Sequence, residues 1–154
     1  MERHFYLLTG VMASGKSTTA QALAERLPRC VHLRGDVFRK MIVTGREEMS
    51  SQLTPQALEQ LGLRYRLAAQ AARGYWEAGF SVVLQDKYYG PDLANMVDLL
   101  GGIPVRVVVL CPDVETVKAR EAARGKTGYV GFWLDNSRLT VEESVEKILE
   151  HFSA

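Results

Sequence analysis

The sequence has few cysteines, almost no net charge and no long apolar run, and each of these absences excludes a class of protein. Cys30 and Cys111 lie far apart in apolar surroundings, so neither a disulfide framework nor a cysteine metal site is expected. The formal net charge of +1 gives no general attraction for nucleic acid or an anionic membrane. No stretch approaches the roughly 18 apolar residues of a membrane-spanning helix, and the first residues do not predict a signal peptide. We therefore expect a cytoplasmic protein without a nucleic-acid or membrane partner.

The rest of the composition is that of one ordinary globular domain. The 154 residues are 47% hydrophobic and 24% charged, and a chain of this length can bury a sizeable core. No repeat, low-complexity tract or linker interrupts it, so residues 1–154 are expected to form a single domain. The composition leaves the choice between a monomer and a homodimer open.

One stretch fits the phosphate-binding pattern G-x-x-x-x-G-K-[ST]. It comprises Gly10, Val11, Met12, Ala13, Ser14, Gly15, Lys16 and Ser17, and we include Thr18 in the predicted nucleotide-binding residues. A short apolar run precedes it and an amphipathic helical pattern follows it, which is the context that the motif requires. Its glycines let backbone amides face phosphate oxygens, Lys16 would reach the β- and γ-phosphates of ATP, and Ser17 would bind Mg²⁺.

Two acidic residues follow predicted strands, where open α/β sheets bind their ligands. Asp36 follows a short strand at 31–34, and we predict that it accepts the proton of a substrate hydroxyl; its alternative role is a simple helix N-cap. Arg39 would bind an anionic or polar substrate group, or would be a solvated surface arginine. Asp86 closes the apolar strand 80–86, and we predict that it binds Mg²⁺ or one of its waters, with Lys87 at the same substrate pocket; the alternative is an ordinary turn residue.

A long helix is predicted to begin at Pro55, with a core-facing stripe at spacings of three and four. The stripe comprises Leu58, Leu61, Tyr65, Ala68, Ala72 and Trp76. Three arginines flank it, at positions 64, 66 and 73, and as a group they are expected on the solvent-exposed side of the helix; the alternative is that one of them faces the substrate.

A second helix pattern, from about 112 to 124, carries Arg120 and Arg124 on one face. Two like charges four residues apart repel unless an anion lies between them, so this pair is predicted to close over the triphosphate; the alternative is screening by Glu121 and solvent. The glycine-rich residues 125–131 then suit a mobile flap. The last helix is predicted to begin at the capping box of Thr140.

With these motifs, the chain resembles the P-loop small-molecule kinases, a group that includes chloramphenicol phosphotransferase, adenylylsulfate kinase, gluconate kinase and the zeta-type toxins. The resemblance covers nearly the whole length and rests on Gly10–Ser17, on Gly35-Asp36 with Arg39, on the strand ending at Asp86 and on residues 120–125. It implies the three-layer α/β/α fold of P-loop NTPases, with a five-stranded parallel sheet in the order 2-3-1-4-5. It also implies that Asp36 is the catalytic base, that Arg120 and Arg124 belong to a short lid around 120–131, and that Asn136 lies near the adenine.

The sequence therefore predicts an ATP- and Mg²⁺-dependent kinase that phosphorylates a hydroxyl group of a small molecule. The acceptor is left open among an antibiotic, a nucleoside or nucleotide, and a sugar. A nucleotide-dependent toxin or switch is the alternative from another class, although the guanine-reading N-K-x-D pattern is absent.

Overall fold

Five parallel strands form one sheet in the computed structural model, which describes residues 2–10, 15–49, 53–111 and 131–153. The strands are β1 Phe5–Gly10, β2 Cys30–Arg34, β3 Ser81–Gln85, β4 Val105–Leu110 and β5 Phe132–Leu134. Their order across the sheet is β2-β3-β1-β4-β5, which confirms the predicted order, and every neighbouring pair is parallel.

Five helices of the described residues connect and follow these strands. They are α1 Lys16–Glu25, α2 Val37–Lys40, α3 Pro55–Glu77, α4 Asp92–Leu99 and α5 Val141–Phe152. The Thr54 hydroxyl accepts a hydrogen bond from the Ala57 amide and so caps α3, while Thr140 and Glu143 form the predicted capping box of α5. None of the helices in the described ranges is long and apolar enough to cross a membrane.

The central strands are apolar on both faces because helices cover both sides of the sheet. Phe5 and Leu7 of β1 belong to the core under α3 and α4, whereas Tyr6 and Leu8 belong to the core under α1 and α5. Alternate residues of one strand therefore enter opposite cores, and the helices make the outer two layers of a three-layer α/β/α fold.

The predicted helix stripe of α3 is correct except at its first residue. Leu61, Tyr65, Ala68 and Ala72 are buried, but the side chain of Leu58 is 51% exposed because it lies in the first turn, on the outer side of the helix. The helix predicted over 112–124 and nearly all of the predicted flap lie outside the described residues.

The parallel arrangement brings the carboxyl ends of the strands to one edge of the sheet. Gly10 ends β1, Arg34 ends β2 and Gln85 ends β3, so Asp36 and Asp86 both follow strands at this edge. The sequence motifs predicted to carry chemistry thus converge at one side of the domain.

Gly131, which immediately precedes β5, provides a test of the fold. Its φ angle is 91°, and an added Cβ would lie 2.6 Å from both the Cβ and the carbonyl oxygen of Val107. We expect Gly131→Ala to lower the free energy of unfolding by about 1–3 kcal/mol, measured by urea unfolding. Gly74→Ala is the matched control, because Gly74 is an exposed residue inside α3 with open space around it and should gain about 0.5–1 kcal/mol. Equal effects of the two changes would contradict this packing of β5 against β4.

Candidate active site

The phosphate-binding motif spans the end of β1 and the start of α1. Gly10 is the last residue of β1, Gly15 has a left-handed φ of 76°, and Lys16 is the first residue of α1. A left-handed residue at this point favours glycine, and the free amides that follow it are the donors that phosphate groups bind. Residues 11–14 of the motif lie outside the described residues, so their predicted phosphate contacts stay predictions.

Lys16 shares its surroundings with the other charged residues predicted for the site. Burial is the largest cause that lowers the pKa of Lys16, and the positive charge of Lys87 adds to it. The carboxylates of Asp86 and Asp36 act in the opposite direction and raise it. The structure thus brings Lys16, Asp36, Asp86 and Lys87 into one electrostatic neighbourhood, although they come from three separate parts of the sequence.

The hydroxyl group of Ser17 lies against Gln85, the last residue of β3. The Gln85 side-chain amide donates to Ser17 Oγ over 2.8 Å, and its carbonyl oxygen lies 2.5 Å from Nε2 of His32. Sequence reasoning missed both Gln85 and His32. Successive residues of a strand face opposite sides, so the residue before Asp86 was the one to examine on the Ser17 side of the sheet.

Asp86 is held by a buried arginine that sequence reasoning placed elsewhere. Arg64 Nε donates to Asp86 Oδ2 over 3.1 Å, Arg64 Nη2 bonds to Oδ1, and the Lys87 amide also donates to Oδ1 over 2.7 Å. The prediction that Arg64 belongs to the wet side of α3 is therefore wrong, whereas Arg66 and Arg73 are exposed as expected. The spacing contained the signal, because Arg64 follows Leu61 by three residues and precedes Ala68 by four.

The Arg64–Asp86 pair is almost completely withdrawn from water. Burial raises the pKa of Asp86, and the Arg64 contact opposes that rise. Burial alone would lower the pKa of Arg64, but its contact with Asp86 raises the pKa, so the guanidinium stays charged. A buried charge pair is stable only with good geometry and further hydrogen bonds, and here the bidentate Arg64–Asp86 contact and the Lys87 amide supply them.

Gly35 allows this pair to lie directly beneath the loop that carries Asp36. A Cβ at position 35 would stand 2.6 Å from the Asp86 carboxyl carbon and would overlap its Oδ2. The Gly35 amide also donates to the Gln85 carbonyl over 2.9 Å, which extends the contact between β2 and β3 beyond the strands. Close approach, rather than an unusual φ angle, is the reason for glycine at this position.

Asp36 occupies the N-cap position of α2, but its side chain makes no capping hydrogen bond. Its Oδ2 instead pairs with Lys40 Nζ at 3.0 Å, and 43% of the side chain remains exposed. Burial raises its pKa, but the hydrogen bond and charge of Lys40, together with Arg64 and Arg34, lower it overall. Asp36 is therefore an ionised carboxylate that solvent or a substrate can reach, which the simple N-cap interpretation does not explain.

Arg39 turns toward the loop after α2 rather than toward Asp36. Its Nη1 donates to the Glu47 carbonyl over 3.4 Å and lies 3.6 Å from Glu48 Oε2. Its Nε is buried without a hydrogen-bond partner among the described residues. The predicted substrate contact of Arg39 stays a prediction.

Of the remaining predicted site residues, the structure describes Lys87 and Asn136 but not the two arginines of the predicted lid. The Lys87 carbonyl accepts a hydrogen bond from the Tyr65 hydroxyl over 2.5 Å, so the backbone at this position is fixed by α3. Asn136 follows β5 at the same edge of the sheet as the phosphate motif. Arg120 and Arg124 lie outside the described residues.

The donors at this edge fit a magnesium–nucleotide complex better than a metal held by protein alone. No cluster of three His, Cys, Asp or Glu side chains that could hold a metal ion occurs in the described part of the chain. Mg²⁺ bound with a nucleotide needs only one or two protein oxygens, since phosphates and water supply the others. Ser17 Oγ meets that requirement, and Asp86 would have to exchange its Arg64 contacts or act through a water molecule.

The fold and the phosphate-binding edge define a nucleotide-binding α/β domain, and comparison with known proteins agrees. The chain belongs to the AAA domain family, whose sequence profile matches residues 6–153. No curated protein matches the sequence.

Three solved structures have a similar fold and are kinases or a resistance protein. A sugar kinase from Janibacter sp. HTCC2649 is 19% identical, with 97% of this chain and 94% of that chain covered and a TM-score of 0.68. The APS kinase of Mycobacterium tuberculosis is 15% identical, with 99% and 98% covered and a TM-score of 0.70. The tunicamycin resistance protein of Deinococcus radiodurans is 18% identical, with 97% and 95% covered and a TM-score of 0.67. These likenesses show that the three-layer α/β/α fold extends over the length of the chain.

The buried ion pair gives a prediction about stability. Arg64→Met leaves the Asp86 carboxylate buried without its cation, so we expect the free energy of unfolding to fall by about 3–5 kcal/mol in urea. The double variant Arg64→Met/Asp86→Leu removes both charges and should recover more than half of that loss. A double variant as unstable as Arg64→Met alone would show that the loss comes from packing rather than from an unpaired charge.

Proposed function

We propose that the protein is an ATP- and Mg²⁺-dependent phosphotransferase that moves the γ-phosphate of ATP to a hydroxyl group of a small molecule. The observation that carries the proposal is that Lys16, at the start of α1, and Asp36, after β2, lie at the same edge of the sheet. A cation at a phosphate-binding helix start and an accessible carboxylate beside it are the two groups that phosphoryl transfer to a hydroxyl requires.

The donor half of the reaction belongs to the start of α1. The amides after Gly15 and the ammonium group of Lys16 bind the β- and γ-phosphates, and the Ser17 hydroxyl binds Mg²⁺, which neutralises charge on the phosphate oxygens when bound. Desolvation of Lys16 strengthens its attraction for phosphate, because charges interact more strongly away from bulk water. Arg120 and Arg124 would add positive charge from the lid.

The acceptor half belongs to the loop after β2. The acceptor oxygen attacks the γ-phosphorus, the bond from that phosphorus to the bridging oxygen breaks, and ADP leaves with that oxygen. Asp36 first orients the acceptor hydroxyl and then takes its proton. A carboxylate of low pKa is suited to this late proton transfer, since the transition state of phosphoryl transfer needs little help from a strong base.

The positive charges around Asp36 bear on the chemical class of the acceptor. Arg34 and Lys40 both act on Asp36 as positive charges, which favours an acceptor with a phosphate or carboxylate group, such as a nucleotide or a sugar acid. Arg46 donates to the Lys40 carbonyl over 3.4 Å and adds a third cation beside α2, although its Nε also lies 3.9 Å from Glu48 Oε1. A neutral antibiotic remains the alternative acceptor, with the same donor half and the same base.

Asp36→Asn tests the assignment of the base. The amide keeps the size of the carboxylate but cannot accept the proton, so we expect turnover to fall at least about 100-fold while ATP affinity stays within about twofold. The assay offers purified protein a panel of antibiotics, nucleosides, nucleotides and sugar acids, and it detects an added phosphate by mass. Asp98→Asn on the exposed face of α4 is the matched control. An Asp36→Asn protein that keeps most of the wild-type rate would show that Asp36 is not the base.

Lys40 gives a separate prediction about the charge of Asp36. Lys40→Met removes the ion pair that lowers the pKa of Asp36, so that pKa should rise. The range in which Asp36 gains its proton then moves to higher pH, and activity should begin to fall at a higher pH as the solution is acidified. Carboxyl carbon NMR of Asp36 in both proteins measures the change, with Lys147→Met on exposed α5 as the control. An unchanged titration of Asp36 in the Lys40 variant contradicts the prediction.

A further inference from the structure

A chain of polar side chains leads from the outer face of α1 to the Ser17 hydroxyl. Gln21 Nε2 donates to Glu25 Oε1 over 3.1 Å, and Gln21 Oε1 lies 2.8 Å from Nδ1 of His32. On the other side of the ring, His32 Nε2 lies 2.5 Å from Gln85 Oε1, and Gln85 Nε2 donates to Ser17 over 2.8 Å. Three elements, α1, β2 and β3, thus contribute to one continuous network.

His32 decides which way the Gln85 amide can point. A neutral histidine has one donor and one acceptor nitrogen, whereas in this network both nitrogens face amide oxygens. The hydrogen bond from Gln21 Nε2 to Glu25 favours the orientation in which the Gln21 oxygen accepts a hydrogen from His32 Nδ1. Nε2 of the neutral ring then presents a lone pair, and it must receive the Gln85 amide nitrogen. The amide can turn over in the same space because its two ends have nearly the same shape.

Turning the Gln85 amide changes what Ser17 can offer to a metal ion. In one orientation the amide nitrogen donates to Ser17 Oγ and occupies one of its two lone pairs. In the other, the amide oxygen accepts the hydroxyl proton of Ser17, and Gln85 then occupies neither lone pair of the hydroxyl oxygen. The second orientation leaves the hydroxyl oxygen free to bind a cation.

We propose that His32 and Gln85 are positioning residues for Ser17, in which neutral His32 holds the Gln85 amide so that it accepts the Ser17 hydroxyl proton and directs the Ser17 oxygen to Mg²⁺. This inference rests on the proposed function, since it takes Ser17 as the metal-binding hydroxyl. Sequence reasoning placed the residue that binds Mg²⁺ or its water at Asp86, and the proposal adds an orienting role for the residue before it, Gln85.

The location of the network supports this role. Gln85 is only 7% exposed, and Asp86 faces the opposite side of the sheet, where Arg64 holds it. Burial lowers the pKa of His32, the hydrogen bond with Gln85 opposes this, and the charge of Arg34 lowers the pKa further, so the net shift favours the neutral ring. The network runs from the exposed Gln21 to the buried Gln85, and because its members are joined by hydrogen bonds, a change at one member affects its neighbours.

Two variants of Gln85 separate positioning from simple structural support. Glutamate can only accept, so Gln85→Glu keeps the Ser17 proton in the proposed direction, whereas Gln85→Met has similar size and no hydrogen bond to give. The measured quantity is the ratio of dissociation constants without and with Mg²⁺ for a fluorescent non-hydrolysable ATP analogue. We expect this ratio to fall about tenfold in Gln85→Met and to equal or exceed the wild-type value in Gln85→Glu.

The control and the contradicting results are equally specific. Gln60→Met removes an amide that also makes two hydrogen bonds, to the Glu47 amide and the Gly45 carbonyl, and it should leave the ratio unchanged. A folded Gln85→Met protein whose ratio stays within twofold of wild type would overturn the inference, as would a Gln85→Glu protein that loses the ratio as fully as Gln85→Met. The binding assay needs no acceptor, so a failure of kinase turnover with any acceptor is a separate result.

Discussion

The buried contact between Arg64 and Asp86 is the interaction on which the arrangement of the site depends. It joins α3 to the end of β3 by two hydrogen bonds, and it lies so close to Gly35 that a Cβ at that position would clash with the Asp86 carboxylate. Asp36 follows Gly35 directly, so the pair fixes the height of the loop that carries the proposed base. Its charges also reach Lys16, whose pKa responds to both partners. The same contact thus supports the acceptor loop and shapes the field at the phosphate motif.

The alternation of side chains along β3 divides the site between two faces of the sheet. Gln85 faces α1 and meets Ser17, while Asp86 faces α3 and meets Arg64. The donor half of the proposed reaction is therefore organised from one core and the acceptor half from the other. The two halves meet at the carboxyl ends of the strands, the edge of the sheet that carries both Lys16 and Asp36.

Much of this could be predicted from the sequence, because local patterns determine it. The apolar strands, the capping box at Thr140 and the phosphate motif each report a short-range preference, and the sheet order followed from resemblance. The Arg64–Asp86 pair could not be derived in the same way, since it joins residues 22 positions apart through a tertiary contact. The helical spacing places Arg64 with the buried residues of α3, but it does not identify Asp86 as its partner. The network through His32 and Gln85 depends on the register between β2 and β3, which pairs Leu33 with Leu84, and no local pattern specifies that register.

The central claim is that this edge of the sheet transfers the terminal phosphate of ATP to a small molecule. It is tested most directly by incubating the protein with an ultrafiltered extract of small metabolites and ATP labelled at either the γ- or the α-phosphorus. The account predicts that γ-label enters a small-molecule product, that α-label does not, and that Lys16→Met abolishes the transfer. Transfer of α-label, or equal transfer by the Lys16 variant, would contradict it.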